Sequence, residues 1–153
     1  MEIKFRGQRV DNKEWVYGYY FKTPLTDEAT NSKPEDGWFF LSGRERHCIA
    51  QGSCVYEIIP ETVGQCTDLK DKNDKKIYES DIVKFYTFNY NNAYPNSKKP
   101  VSELHSIVFS RGKFELSGYV SYSSVLTDNY RKCKEFEVIG NIYENPELLG
   151  IEE

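Results

Sequence analysis

The feature that most constrains the fold is a series of short runs in which apolar and polar residues alternate, each ended by turn residues. In the first long run, Trp15, Tyr17 and Tyr19 occupy alternate positions, which is the period of a half-buried strand. Gly18 interrupts this run and indicates either a bulge or a close approach of another backbone. The runs follow one another too closely for β-α-β units. The sequence therefore predicts a mainly β, antiparallel domain that is barrel-like or sandwich-like.

The individual strands are predicted from these runs and from the turn residues between them. Residues 2–21 are interpreted as two strands and a turn, and residues 81–88 give the strongest single strand. The other predicted strands are 37–41, 47–50, 54–59, 104–109, 113–116 and 136–139. A helical turn is predicted within 119–130. Residues 145–150 predict a short C-terminal helix, because Asn145 can cap it, Pro146 suits its first position and Gly150 can end it.

The chain length sets the domain organisation. With 153 residues the sequence predicts one domain, 1–153, divisible into a smaller N-terminal lobe of about 1–60 and a core lobe of about 61–153. This is long enough to bury a core without disulfide bonds. The four cysteines form no C-x-x-C pair, no apolar signal run follows Met1, and no stretch approaches a membrane span. A cytoplasmic protein with reduced thiols and no membrane contact is expected.

The charge balance limits nucleic-acid binding to a local patch. The formal net charge of -4 provides no overall positive field that could attract a phosphate backbone. Two loops nevertheless carry basic residues near aromatic ones, and the candidate contacts are Lys70, Lys72, Lys75, Lys76, Lys98, Lys99 and Arg111. Because Asp68, Asp71 and Asp74 are interleaved with the first loop, nucleic-acid binding is not favoured.

The sequence gives no catalytic, cofactor-binding or metal-binding residues. His47 and Cys48 are adjacent and point to opposite faces of a strand, so they cannot form the paired ligands of a zinc site. Neither a nucleophile elbow nor a glycine-rich phosphate loop is present. Glu79 and Asp81 lie two residues apart, and catalysis would require a pocket that also contains His105. We therefore expect a protein that is not an enzyme and uses no cofactor.

Three segments together resemble one protein family. Residues 60–83 read PETVGQCTDLKDKNDKKIYESDIV, residues 4–7 and 14–18 read KFRG and EWVYG, and residues 137–146 read EVIGNIYENP. These segments are similar to the central signature, the opening and the close of the YopX-like proteins, found mainly in phages and prophages of Gram-positive bacteria. The shared positions, for which the resemblance implies no chemical role, are Phe5, Arg6, Gly7, Trp15, Gly18, Thr62, Gly64, Leu69, Asp71, Ile77, Tyr78, Asp81, Gly140, Asn141, Tyr143 and Glu144.

The resemblance implies a phage or prophage accessory protein in the cytoplasm of a bacterial host, with a biochemical role that is not established. The chain also holds 12 Tyr and 9 Phe, a surplus typical of proteins whose aromatic residues form interfaces. We therefore expect a self-assembling protein-interaction module, a homo-oligomer with a further phage or host protein as its partner. The alternative is a small β-barrel that binds single-stranded nucleic acid.

The chain departs from the family pattern at three positions where the family has glycine. These are Asp68, Asp74 and Ser80, and glycine at such places indicates left-handed backbone. Asp tolerates this conformation better than most residues do. For Ser80 two alternatives stay open: ordinary β backbone, or left-handed backbone with strain of about 1 kcal/mol. Cys66 replaces an aromatic residue of the family and is expected to be a packing residue.

Overall fold

The computed structural model describes residues 4–24, 45–88, 100–117 and 136–150. The strands in these ranges are β1 (Phe5–Gln8), β2 (Trp15–Pro24), β3 (Glu45–Gln51), β4 (Cys54–Glu57), β5 (Gly64–Lys70), β6 (Lys76–Tyr78), β7 (Asp81–Phe88), β8 (Pro100–Ser110), β9 (Lys113–Leu116) and β10 (Glu137–Asn141). Two 3-10 helices, Pro60–Thr62 and Pro146–Leu149, accompany them. The chain separates into two compact units, Met1–Val63 and Gly64–Glu153.

The N-terminal unit contains β1 to β4, arranged side by side in the order β4-β3-β2-β1 with antiparallel pairing. Alternate side chains of these strands face a small core. Tyr20 of β2, Ile49 of β3 and Tyr56 of β4 lie in one cross-strand row on this inner face. Its buried centre consists of Val16, Ile49 and Ile58. Val16 and Tyr20 of β2 both contribute to this inner face, because alternate residues of a strand point to the same side.

Only glycine fits at position 18, because β3 approaches β2 closely there. A Cβ atom at Gly18 would lie 1.9 Å from the carbonyl oxygen of Ala50, far inside van der Waals contact. The second of the two interpretations of this glycine, close approach of another backbone, is therefore confirmed. Any side chain here would separate β2 from β3.

The C-terminal unit contains the β5–β6 hairpin and an antiparallel sheet with the order β10-β7-β8-β9. The pairing of β7 with β8 is the most extended, from Ile82 opposite Ser106 to Phe88 opposite Pro100. The pairing of β10 with β7 shifts register between Val138 and Gly140, which is a β-bulge. The core of the unit consists of Ile77, Val83, Ile107, Leu116, Phe136 and Val138.

The predicted mainly β, antiparallel fold is confirmed, and the predicted strand 81–88 is β7. The strands form open sheets, and no closed barrel occurs among the described residues. The predicted strands 47–50 and 54–59 are found with shifted ends, as β3 and β4. The predicted strand 37–41 and the helical turn within 119–130 lie outside the described residues.

The predicted short C-terminal helix is present only as a 3-10 turn and not as an α-helix. Residues 146–149 form a single 3-10 turn, although Pro146 lies at its start and Gly150 ends it in left-handed conformation as expected. The side chain of Asn145 makes no capping hydrogen bond. Its Oδ1 atom accepts a hydrogen bond from the backbone N–H of Asn141 instead, at 3.4 Å. Without a capped first turn, the segment contains too few residues to form an α-helix.

Candidate functional site

The turn between β5 and β6 is built around the carboxylate of Asp71, which is only 4% exposed. Its Oδ1 atom accepts hydrogen bonds from the backbone N–H groups of Asn73 at 2.8 Å and Lys75 at 2.9 Å. Its Oδ2 atom accepts the N–H of Val138, a residue of β10, at 3.0 Å. One side chain therefore closes the turn and joins it to a strand 67 residues further along the chain.

The pKa of Asp71 reflects two opposed effects. Burial raises the pKa of this carboxyl, whereas the hydrogen bonds from the N–H groups of Val138, Lys75 and Asn73 lower it. The positive charge of Lys75 lowers it further, and the net pKa lies below the ordinary value of an aspartate. Asp71 is therefore ionised at neutral pH. Its two carboxylate oxygens accept hydrogen bonds from three backbone N–H groups, so this buried carboxylate has a structural role.

Other polar signature residues are also used to hold backbone. The buried Asp81 accepts the N–H of Tyr78 through Oδ2 at 2.8 Å. Asn141 accepts the N–H groups of Tyr143 and Glu144 through Oδ1, both at 3.0 Å, and donates from Nδ2 to the carboxylate of Glu144. These bonds form the turn that follows β10 and fix the direction of the chain beyond it.

The N-terminal unit uses its signature residues in the same way. The hydroxyl of Thr62 accepts the N–H of Gln8 at 2.8 Å and donates to the carbonyl of Ile59 at 2.7 Å. The guanidinium of Arg6 lies 4.6 Å from the ring centroid of Trp15, within the range of a cation–π contact. The signature therefore specifies turns, strand junctions and packing, and in the described residues it does not assemble a reactive cluster.

The three positions that depart from the family pattern all have left-handed backbone. Asp68 has φ 62°, Asp74 has φ 63° and Ser80 has φ 68°. The expectation from the family's glycines is confirmed, and the alternatives for Ser80 are decided in favour of left-handed backbone. Ser80 is held there because its N–H donates to the carbonyl of Ile107 and its carbonyl accepts the N–H of Ile142. The surrounding strands thus maintain a conformation that serine avoids.

The basic candidates are partly neutralised by neighbouring acids. Lys72 lies 2.7 Å from the carboxylate of Glu137, and Lys70 lies 3.6 Å from that of Asp74. Arg111 occupies the tip of the β8–β9 hairpin in left-handed conformation. Lys75 and Lys76 are exposed, whereas Lys98 and Lys99 lie outside the described residues. Nucleic-acid binding by this set stays a prediction.

The groups considered for catalysis are engaged in other contacts. The carboxylate of Glu79 lies near the N–H groups of Gln65 and Phe109, at 3.5 and 3.4 Å. His105 contacts the carboxylate of Glu103 at 3.2 Å and a backbone carbonyl at 2.8 Å. Over the described ranges, no three His, Cys, Asp or Glu residues are grouped in a way that could hold a metal ion.

The thiols in the described residues include two in buried positions. Cys66 is buried, as expected for a packing residue. Cys48 lies opposite Phe21 on the outer side of the sheet and is also buried. Burial, together with the negative charge of Glu57, raises the pKa of the Cys48 thiol above its ordinary value. Because the thiolate is the nucleophile, a raised pKa favours the less nucleophilic, protonated form of Cys48 at neutral pH.

The outer side of the N-terminal sheet presents large apolar side chains to solvent. Tyr17, Tyr19 and Phe21 of β2 are 43%, 54% and 36% exposed, and Val55 of β4 is 60% exposed. Tyr19 and Val55 lie in one cross-strand row through Ala50. We call these four exposed residues the outer aromatic face. The sequence did not identify it, because β2 carries aromatic residues at both odd and even positions and its alternation does not reveal which set is buried.

No helix in the part of the chain that the structure describes is both long enough and apolar enough to cross a membrane.

The fold and the signature contacts define a small, mainly β protein whose recurrent residues build turns and strand junctions. The family model described as YopX protein matches residues 4–150, and the chain therefore belongs to the YopX family. No curated protein matches the chain.

Two solved structures are similar to the chain over nearly its whole length. Protein EF1440 from Enterococcus faecalis is 26% identical, with 97% of this chain and 99% of that chain covered and a TM-score of 0.49. Protein yopX from Bacillus subtilis is 19% identical, with both chains covered completely and a TM-score of 0.48.

Proposed function

We propose that this YopX-family chain is a self-assembling protein-interaction module, which acts as a phage or prophage accessory protein in the cytoplasm of its bacterial host. The observation that carries the proposal is the outer aromatic face. Its four side chains are all at least one-third exposed and occupy the solvent side of one sheet. A set of exposed aromatic and β-branched residues on one regular surface is typical of the centre of a protein interface.

The chemistry of this face favours protein over nucleic acid as the partner. The row formed by Tyr19, Ala50 and Val55 carries no charge, so it provides no cation to neutralise a phosphate backbone. Tyrosine combines a large apolar ring with a hydroxyl that can still form a hydrogen bond when buried. Among the basic candidates, Lys70 and Lys72 are paired with acids. These observations support association with another copy of the chain and with a further phage or host protein.

The proposal is tested by sedimentation equilibrium of the full chain and of the variant Tyr19→Ser. Truncating a central aromatic residue of an interface costs about 2 kcal/mol or more, which weakens association about thirtyfold. We expect the full chain to form a defined oligomer and Tyr19→Ser to dissociate at concentrations where the unchanged protein remains assembled.

The matched control is Ile139→Ser, which removes an exposed apolar side chain from β10 in the other unit, where Ile139 is 36% exposed against 54% for Tyr19. It should leave the association constant unchanged within about twofold, since isolated exposed residues contribute little. A monomer at every concentration, or equal effects of the two substitutions, would contradict the proposed role of the outer aromatic face.

A further inference from the structure

A shallow groove of about 290 Å³ lies beside β4 in the N-terminal unit, apart from the signature turns. One wall is formed by residues 9–11, which follow β1, and the other by Val55, Tyr56 and Glu57 of β4. Two apolar side chains line it in exposed positions, since Val10 is 50% and Val55 is 60% exposed. The groove therefore offers apolar surface next to a strand.

The backbone of β4 is oriented toward this groove. Ile58 donates its N–H to the carbonyl of His47 on β3, whereas the carbonyl of Glu57 accepts the N–H of Val10 on the opposite side. Because the backbone groups of a strand alternate in direction, those of Val55 point the same way as those of Glu57. The segment that follows β1 turns after Val10, Val55 lines the groove, and among the described residues no strand pairs with β4 on this side at Val55.

The charge around the groove is negative. Arg9 is held by the carboxylate of Asp11, approaches that of Glu14 at 3.7 Å, and stacks over the ring of Tyr56 at 4.6 Å. Glu57 adds a carboxylate on the β4 side. Among the residues that line the groove, Asp11 and Glu57 are acidic and Arg9 is basic, so the lining carries an excess of one negative charge.

We propose that this groove binds an extended segment of a partner protein, which adds a strand to β4 at Val55. Because Val55 and Glu57 are two residues apart in β4 and share one face, the segment would carry an apolar and a basic residue two positions apart. Its backbone would pair with that of Val55, its apolar side chains would contact Val10 and Val55, and its Lys or Arg side chains would approach Glu57. The acidic rim and the chain's own net charge of -4 favour a basic partner over a second copy of this protein.

The probe is a short fluorescein-labelled peptide with the repeat Val-Ser-Lys-Ser, which places Val and Lys on the same face of an extended chain, and the measurement is fluorescence anisotropy. The protein is the Tyr19→Ser variant, used at a concentration where it is dissociated, because the outer aromatic face and the groove share Val55 and self-association would otherwise compete with the peptide. We expect saturable binding that weakens at high salt. Glu57→Lys should weaken it about tenfold or more, because it reverses a charge at the groove.

The matched control is Glu61→Lys, which makes the same charge change at another exposed position of the unit that does not line the groove. It should change the dissociation constant less than about twofold, since Glu61 does not line the groove and exposed charges are screened by salt. Equal weakening by both variants would overturn the proposal, because it would indicate general charge attraction. Thermal melts establish that both variants are folded.

Strand pairing is tested with a peptide that is N-methylated at alternate residues. Methylation removes the N–H donors without changing the charge, so we expect this peptide to lose binding. Equal binding of the methylated peptide, or no saturable binding of the parent peptide, would refute strand addition. If the Glu57→Lys variant of the otherwise unchanged protein loses self-association, the groove holds a second copy and the assignment to a basic partner is wrong.

Discussion

Replacing Asp71 by Asn tests whether the signature is an architectural device. The substitution preserves the shape of the side chain but removes its charge and converts one acceptor oxygen into an NH2 donor. Asp71 accepts three backbone N–H groups, from Asn73, Lys75 and Val138. If the remaining oxygen stays with the turn, the new NH2 group faces the N–H of Val138, and that buried donor loses its acceptor.

The expected cost follows from these three bonds. An unsatisfied buried donor costs about 1–3 kcal/mol, and each of the two remaining bonds loses about 1 kcal/mol when its acceptor becomes neutral. The sum is a loss of about 3–5 kcal/mol in the free energy of unfolding. For a chain of this length, that lowers the melting temperature by about 10 °C.

The assay is urea and thermal unfolding at neutral pH, monitored by circular dichroism and tryptophan fluorescence. The matched control is Asp74→Asn, which makes the same chemical change in the same turn at a side chain that is 89% exposed. Asp74 forms a solvent-exposed ion pair with Lys70 at 3.6 Å, and such a pair contributes little, so the control should cost less than about 0.5 kcal/mol. A loss of less than about 1 kcal/mol for Asp71→Asn would show that the charge of Asp71 is not needed to hold the turn against β10.

Three further predictions use the same unfolding assay. Because the folded pKa of Asp71 lies below its ordinary value of about 3.9, its stabilisation is complete above that pH and is lost as the pH falls through the folded pKa. The difference between the unchanged protein and Asp71→Asn should therefore shrink below about pH 4, and a constant difference would contradict this. Ser80→Gly should raise the free energy of unfolding by about 0.5 kcal/mol, since the relief of backbone strain exceeds the added entropy of the unfolded chain. Asp74→Gly should raise the melting temperature slightly for the same reason. A lower stability of either variant would argue against strain from left-handed backbone at that position. Gly18→Ala should cost about 3 kcal/mol or more, because its methyl group would meet the carbonyl of Ala50, and a near-neutral result would show that β2 and β3 separate easily.

Some strands and turn conformations could be predicted, because neighbouring residues in the sequence determine them. The segment 81–88 combines β-branched and aromatic residues without a break, and it forms β7 over the same bounds. Backbone conformation was also readable at Asp68, Asp74 and Ser80, because the family's glycines indicate positive φ there. In both cases a single stretch of sequence contains the physical reason for the structure.

Other features depend on contacts that one sequence does not display. The strand β5 was not predicted, since only Gly64 and Cys66 are buried in it and the rest of the segment is polar or half-exposed. The bond from Asp71 to Val138 joins residues far apart in the chain, so the local pattern indicates only a turn. The exposure of Tyr17 and Tyr19 depends on which side of β2 the core lies, and aromatic residues occur on both sides.

The most direct test of the proposed function is size-exclusion chromatography with light scattering at low salt, with absorbance recorded at protein and nucleic-acid wavelengths. We expect a defined oligomer that carries no nucleic acid, because the outer aromatic face is uncharged and Lys70 and Lys72 are paired with acids. A monomer that elutes with bound nucleic acid would contradict the proposed self-assembly and would favour single-stranded nucleic-acid binding.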